Sequence, residues 1–414
     1  MRILLWSFFT RSVGYIIKVQ RGESHLRTYY FDHCASTPPY EQVVQTVGEL
    51  MRLHYANATA LHRSGKEAAK LVERARQSVA QSLGAKSEEV LFTSGGTESN
   101  NLALKGILFT GGRKAAKHLI TTAIEHSSVY NTAKQLERFG IETTFLPVDS
   151  SGRVSVRDVE AAIRPNTALV SVMHVNNETG VVQPVEEIAV LLAKHPQIRF
   201  HVDGVQAIGK VKLEWKAAAG IDLYSGSAHK FRGPKGVGLL LKREGLELEP
   251  LLEGGGQEDG YRGGTHNLPG IVGMSQALRL TMESLETRRE KMFALRRLAI
   301  ERVKAIPELT LNVPEDEAMV SPQVVNVSYP GMRPEVLVHM LEQSEVFVST
   351  QSACSSKSLK PSRVLLAMGH SAARASGSLR ISFGDEHEAE DVEELIRRLK
   401  TTVVKLKPLE RSRG

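Results

Sequence analysis

Cysteine is scarce in this chain: Cys34 and Cys354 are the only two in 414 residues, and no Cys-x-x-C occurs. Neither a zinc ribbon nor a redox dithiol is therefore encoded. So few cysteines in a chain this long point to a reducing compartment, the cytoplasm, although a single disulfide could be drawn on paper. Long apolar runs are also missing. The stretch Ile3-Leu4-Leu5-Trp6-Ser7-Phe8-Phe9 spans only seven residues, far short of the roughly 20 that cross a bilayer. No small-x-small cleavage site follows it, so no membrane association is expected. The net charge is +7, yet no Lys/Arg-rich run with interleaved aromatics occurs. Direct nucleic-acid binding is not expected. Internal repeats and low-complexity segments are absent.

What is present is an ordinary globular composition, 41% hydrophobic and 24% charged, in a chain long enough for two domains. Strand-like and helix-like patterns alternate, the sign of an α/β fold. Strands are expected at Glu89–Thr93, His118–Thr122, Ala168–His174, Arg199–Val202, Asp222–Ser225 and Val237–Lys242. A helix is expected over Glu67–Leu83, with Leu71, Val72, Ala75, Val79 and Leu83 on one face. Almost every strand runs directly into polar or glycine-containing residues, and open α/β sheets bind ligands beyond the carboxyl ends of their strands.

Four units follow. Residues 1–27 carry Arg2, Arg11, Lys18, Arg21 and Arg27 against Glu23 alone; they read as a poorly packed extension or as a start codon assigned too early, with a targeting peptide as the lesser alternative. Residues 28–42 are expected to join a small domain. Residues 43–285 form a large cofactor-binding domain, and 286–414 a small domain. A charged helical stretch, Thr281–Ala305, links them. An amphipathic helix marked by Val392, Leu395, Ile396, Leu399, Val403 and Leu406 closes the chain.

The chemistry-bearing residues lie at the strand ends. Ser94–Asn100 is a glycine-rich turn whose backbone N–H groups at Gly96 and Thr97, with the Thr97 hydroxyl, suit a phosphate; a plain strand-to-helix turn is the simpler alternative. Its spacing is neither Walker A nor G-x-G-x-x-G. Asp203 ends a strand and could face a pyridinium nitrogen, or simply cap a helix. Gln206 lies three residues on. His201-x-Asp203 lacks further nearby ligands, so no metal is expected. His126 could stack on a planar ring and move protons near neutral pH. Asn177, in Asn176-Asn177-Glu178-Thr179-Gly180, could bond a ring or a substrate, or make a turn. Lys230, between His229 and a Gly-Pro turn, is a candidate Schiff-base lysine flanked by Ser227 and His229. Arg380 could hold a carboxylate bidentately, or form a surface ion pair. Cys354 sits in a small, polar stretch with Lys357 and Lys360 to favour its thiolate. Cys34 looks structural. Together these residues suggest a pyridoxal phosphate (PLP) enzyme that hands an atom to a thiol.

From about Tyr29 to Lys407 the chain resembles the NifS/IscS-type cysteine desulfurases, PLP-dependent members of the class V aminotransferases. The matching motifs are Thr-Ser-Gly-Gly-Thr-Glu-Ser-Asn (93–100), Glu-His (125–126), Met-His-Val-Asn-Asn-Glu-Thr-Gly (173–180), His-Val-Asp-x-x-Gln (201–206), Ser-x-His-Lys-x-x-Gly-Pro-Lys-Gly (227–236), Gly-Gly-Gly-Gln-Glu (254–258), Arg-x-Gly-Thr (262–265), Ser-Ala-Cys (352–354) and Leu-Arg-Ile-Ser-Phe-Gly (379–384).

The resemblance implies the type I aminotransferase fold, a large mainly parallel-sheet domain plus a smaller α+β domain. It also implies that Lys230 holds PLP as an aldimine, that Asp203 faces the ring nitrogen and Gln206 the phenolic oxygen, and that His126 stacks on the ring. Gly96, Thr97, Ser227 and His229 would bind phosphate, joined by Thr265 from the other subunit of a homodimer. Asn177 and Arg380 would hold the substrate carboxylate. Lys230, His126 and Cys354 would be catalytic. L-cysteine would yield L-alanine and a persulfide on Cys354, supplying sulfur to an iron–sulfur scaffold or a tRNA-thiolation enzyme. Selenocysteine lyase, with the same apparatus, is the alternative.

Three positions depart from the family pattern: Asn57-Ala58-Thr59 for Asn-Pro-Ser, Gly204 for Ala, and Phe31-Asp32-His33-Cys34-Ala35-Ser36-Thr37 for Leu-Asp-x-Ala-Ala-Thr-Thr. The glycine at 204 is expected to matter little.

Overall fold

The computed structural model describes residues 27–111, 117–213, 215, 220–350 and 360–410. Among them, twelve strands form three sheets: β1 (Tyr29–Tyr30), β2 (Val90–Thr93), β3 (His118–Thr122), β4 (Glu142–Leu146), β5 (Thr167–Met173), β6 (Arg199–Asp203), β7 (Leu223–Ser227), β8 (Gly238–Lys242), β9 (Thr310–Leu311), β10 (Val324–Ser328), β11 (Val346–Phe347) and β12 (Ser378–Ser382). The large sheet runs β2-β8-β7-β6-β5-β3-β4, and only β8 opposes the others.

Side-chain alternation divides this sheet between two apolar layers. Val90, Phe92, Ile120, Val170, Phe200, Val202, Leu239 and Leu241 face the helices Arg63–Leu83, Val185–Leu192 and Leu268–Glu283. Leu91, Leu119, Leu169, Leu223 and Leu240 face the helices Gly96–Phe109 and Ser127–Glu137. With helices on both faces the strands other than the edge strand β4 are buried on both sides, as a mainly parallel sheet requires.

A separate core gathers Phe31, the inner face of the helix Leu285–Lys304, alternate residues of β10 and β12, and Val392, Leu395, Leu399 and Val403 of the helix Ala389–Glu410. Here β12, β10 and β9 pair antiparallel, while β1 pairs parallel with β11, joining Tyr29 to Val346. A small cluster of Ile124 and Met173 with Val364, Leu365, Met368 and Ala375 packs the short helices Arg363–Ala367 and Ala372–Ser376 beside the ends of β3 and β5.

Strand positions agree with the sequence reading to within two residues, but two helical expectations shift. The helix expected at Glu67 begins at Arg63, because the His62 ring accepts the Gly65 N–H at 3.2 Å and caps it. The single stretch expected over Thr281–Ala305 is two helices, Leu268–Glu283 and Leu285–Lys304, broken at Ser284. None of the described helices is long and apolar enough to cross a membrane.

Candidate active site

The strands β2, β3, β5, β6 and β7 all point their carboxyl ends the same way, and the residues that follow them converge. A cavity of about 190 Å³ is lined by Gly96, Thr97, Asn100, His126, Ser128, Asn177, Asp203, Gln206, Ser227, His229, Lys230 and Arg380, with Cys34 and Ala35 from the N-terminal segment. Chain order alone leaves these groups up to 346 residues apart; the strand order β7-β6-β5-β3 makes them neighbours.

Lys230 closes a short turn after β7, and its Nζ donates to the carbonyls of Cys34 at 2.5 Å and Ala35 at 2.9 Å. Gln206 Nε2 donates to the same Cys34 carbonyl at 2.9 Å. Cys34 is therefore structural through its backbone, and the residue is also part of the cavity wall. Lys210, unmarked in the sequence, supports the turn from below: its buried Nζ donates to the Lys230 carbonyl at 2.7 Å, and burial pushes it down to about 7.

Asp203 ends β6. It accepts from the Val205 N–H at 3.0 Å and from Asn100 Nδ2 at 2.7 Å, while burial pushes its carboxyl above the usual range. His126 caps the helix Ser127–Glu137. Burial first, then Lys230, Arg363 and Arg380, pushes its ring down to about 4, so it is neutral near pH 7. His229 is likewise pushed down to about 3 by burial and by Lys230, Lys235 and Lys210.

Arg380 is not on the surface. It is 1% exposed on β12 and donates to Asp32 Oδ1 at 2.9 Å and to the Asn177 carbonyl at 2.9 Å. The surface ion pair considered from the sequence is thus replaced by a buried one. Arg363 reaches the carbonyls of Ala123 and Glu125 and lies over the Tyr130 ring at 4.0 Å, fixing the backbone before His126. Neither Asp32 nor Arg363 stood out in the sequence.

Thr265 lies elsewhere, in a separate recess with Ser94, Arg262 and His266. Cys354 falls at 351–359, outside the described residues. His33, Glu386 and His387 bring ligand-type atoms within 4.8 Å of one another. His33 Nε2 is already bonded to Glu386 at 2.5 Å and Arg232 lies 3.5 Å from the same carboxylate, which makes the group an ion-paired bridge.

Glycine matters at two places here. Gly95 has φ of 149°, and a Cβ on Gly96 would meet Val205 Cγ2 at 2.5 Å, so the turn before the helix Gly96–Phe109 stays bare backbone. At Gly204 a Cβ would stand 2.0 Å from Tyr224 Cε1. The alanine-to-glycine departure is therefore not minor: the Tyr224 ring occupies that space, its hydroxyl bonded to His174 Nδ1 at 2.9 Å.

The aminotransferase class-V family model matches residues 29–395. The chain belongs to that family. A cysteine desulfurase IscS of Clostridium botulinum is 43% identical over 365 residues, covering 88% of this chain and 91% of that protein. A solved NifS-like protein superimposes with a TM-score of 0.86 at 35% identity, covering 92% of this chain and all of that one. A structure of SspA in complex with cysteine gives 0.75 at 37% identity, covering 86% of this chain and 99% of that one. This class-V chain is of the NifS/IscS type, a PLP-dependent enzyme group, and has the corresponding fold, as its motifs implied.

The cavity's donor set suits PLP. Three buried polar atoms on its lining residues, Asn100 Oδ1, Gln206 Oε1 and Arg380 Nε, have no hydrogen-bond partner among the described residues. A primary amine, a buried carboxylate, a neutral imidazole and a helix N-terminus supply what an aldehyde, a pyridine nitrogen, an aromatic face and a phosphate need.

Proposed function

We propose that this chain is a cysteine desulfurase that converts L-cysteine and a protein thiol into L-alanine and a persulfide on Cys354. The convergence of Lys230, Asp203, His126 and Arg380 on one cavity carries this reading. The names of its relatives favour it over selenocysteine lyase. The net step balances without an outside oxidant: the substrate C–S bond breaks, an S–S bond forms on Cys354, and the thiol hydrogen ends on the alanine carbon.

PLP, when bound, supplies an electron sink next to the substrate α-carbon. Lys230 Nζ would bind it covalently, and would move the α-carbon proton. Asp203 would bond its ring nitrogen and Gln206 its ring oxygen. Gly96, Thr97, Ser227 and His229 would bind its phosphate, and His126 would lie against its ring. Asn177 and Arg380 would orient the substrate carboxylate, Arg380 being held ready by Asp32.

The same reading includes the domain division 28–42 with 286–414, and 43–285; the separate apolar cores support it. It includes a homodimer in which Thr265 serves the other subunit's cavity. Exposed Met51, Leu53, Tyr55 and Leu61, and the distance of Thr265 from its own cavity, support that. We place the enzyme in the cytoplasm, passing sulfur to an iron–sulfur scaffold or a tRNA-thiolation enzyme.

The deciding experiment pairs visible absorbance of the purified protein with alanine and sulfide release from L-cysteine under a reducing thiol, in wild type and Cys354→Ala. Bound cofactor in both, with sulfide release lost in the variant, is expected. Release independent of Cys354 would overturn the reading.

A further inference from the structure

Two buried side chains connect Asp203 to His126. Asn100, 1% exposed, lies in the first turns of the helix Gly96–Phe109. Its Nδ2 donates to Asp203 Oδ2 at 2.7 Å and to Ser128 Oγ at 2.8 Å. Both protons of the amide are then used. The opposite amide orientation would set Oδ1 against a carboxylate oxygen at the same 2.7 Å, so the carboxylate itself selects the orientation.

Ser128 Oγ, accepting the hydrogen bond from Asn100, directs its own O–H to His126 Nδ1, 2.8 Å away. The Ser128 backbone N–H points at the same atom at 3.2 Å. Two donors meet His126 Nδ1, which leaves the single proton of the neutral ring on Nε2. Every bond in the series thus has a defined direction, beginning at the Asp203 carboxylate. The three elements that contribute, β6 and the helices after β2 and β3, are otherwise separate in the chain.

We propose that Asn100 and Ser128 are positioning residues that make Asp203 and His126 act as one unit, the carboxylate orienting the amide, the amide the hydroxyl, and the hydroxyl the imidazole tautomer. This rests on the reading that PLP occupies the cavity, where Asp203 and His126 are the two groups assigned to its ring. A merely structural role would be different: the backbone N–H of Ser128 alone caps the helix, and loss of the hydroxyl would then lower stability without touching the ring's partners.

The test uses the full chain. Asn100→Ala, Ser128→Ala, Ser128→Thr and the Asn100→Ala/Ser128→Ala double variant are compared for PLP affinity of the apoprotein and for kcat and KM with L-cysteine. Hydrogen bonds to a charged group are worth about 1.5–3 kcal/mol, so Asn100→Ala should weaken PLP binding about 10–100-fold. Ser128→Ala should lower kcat about ten-fold with KM changed less than about two-fold, and Ser128→Thr should restore it. Members of one bonded series are not additive, so the double variant should resemble Asn100→Ala alone. Multiplying effects, or a Ser128→Ala protein that melts lower yet keeps wild-type kcat and PLP affinity, would overturn the proposal. The two serine variants decide it even where Asn100→Ala fails to fold. Failure of the wild type to bind PLP would instead strike the cofactor reading.

Discussion

The Arg380 guanidinium donates to the Asp32 carboxylate at 2.9 Å, with 1% and 17% of the two side chains exposed. On the proposed reading, a substrate carboxylate entering this cavity would meet a cation whose direction is already set by an anion from the N-terminal segment. Arg380→Ala should raise KM for L-cysteine about 10–100-fold, the value of a charge-assisted bidentate contact. Steady-state kinetics at saturating PLP measures this, and an unchanged KM would remove Arg380 from substrate binding.

Lys230 and Cys354 are expected to separate cleanly by assay. Lys230→Ala should lose the visible absorbance of lysine-bound cofactor and all alanine formation. Cys354→Ala should keep the absorbance and lose persulfide, detected by mass spectrometry of the cysteine-treated protein. Retained absorbance in Lys230→Ala would show that another amine holds the cofactor.

Gly204→Ala should destabilise the protein by about 1–3 kcal/mol, the usual cost of overpacking, because its methyl group meets the Tyr224 ring. A second change, Tyr224→Leu, should recover part of the loss by clearing the ring. Thermal melts of the single and double variants check this; an unshifted melting temperature for Gly204→Ala would contradict the contact.

Glu125 is buried, and burial first, then the charge of Asp203, raises its carboxyl from 4.5 to about 8. The folded protein therefore holds a proton that the unfolded chain releases. The stability from this proton is complete below about pH 4.5 and is lost as the pH rises through about 8. Replacing it by glutamine should flatten the decline of stability over that window, where one proton is worth at most about 1.4 kcal/mol per pH unit. Denaturant melts of both proteins from pH 5 to 8 test it, and parallel curves would refute it.

The residues after strand ends were legible because position, rather than distance, identifies them: Asp203, His126 and Asn177 each follow a strand-like run, and Lys230 stands between His229 and a Gly-Pro turn. Their supports were not. Asn100 donates to a serine 28 positions away and to an aspartate 103 positions away, and only the strand order brings these together. Asp32 and Arg380 are separated by 348 residues and meet through a bridge between Asp32 and Ser382. Nothing local in Phe31-Asp32-His33 announces that. The helix start at Arg63 was missed for a smaller reason: histidine is not among the preferred capping residues. Gly204 was misjudged because a missing methyl group has no visible consequence until its neighbour, Tyr224, is known.

The pairing of Tyr29 with Val346 has a bearing on how the protein is made. The N-terminal segment supplies the carbonyls that Lys230 touches and the carboxylate that Arg380 touches. Its own strand partner leaves the ribosome only after 317 further residues, about 15–65 s at ordinary elongation rates of roughly 5–20 residues per second. Through that interval the nascent large sheet can form, but the wall of the cavity around Cys34 has no strand to anchor it. The wall that Lys230 touches is thereby anchored only when nearly the whole chain has been synthesised, and a prematurely terminated chain would carry Lys230 without that anchored wall.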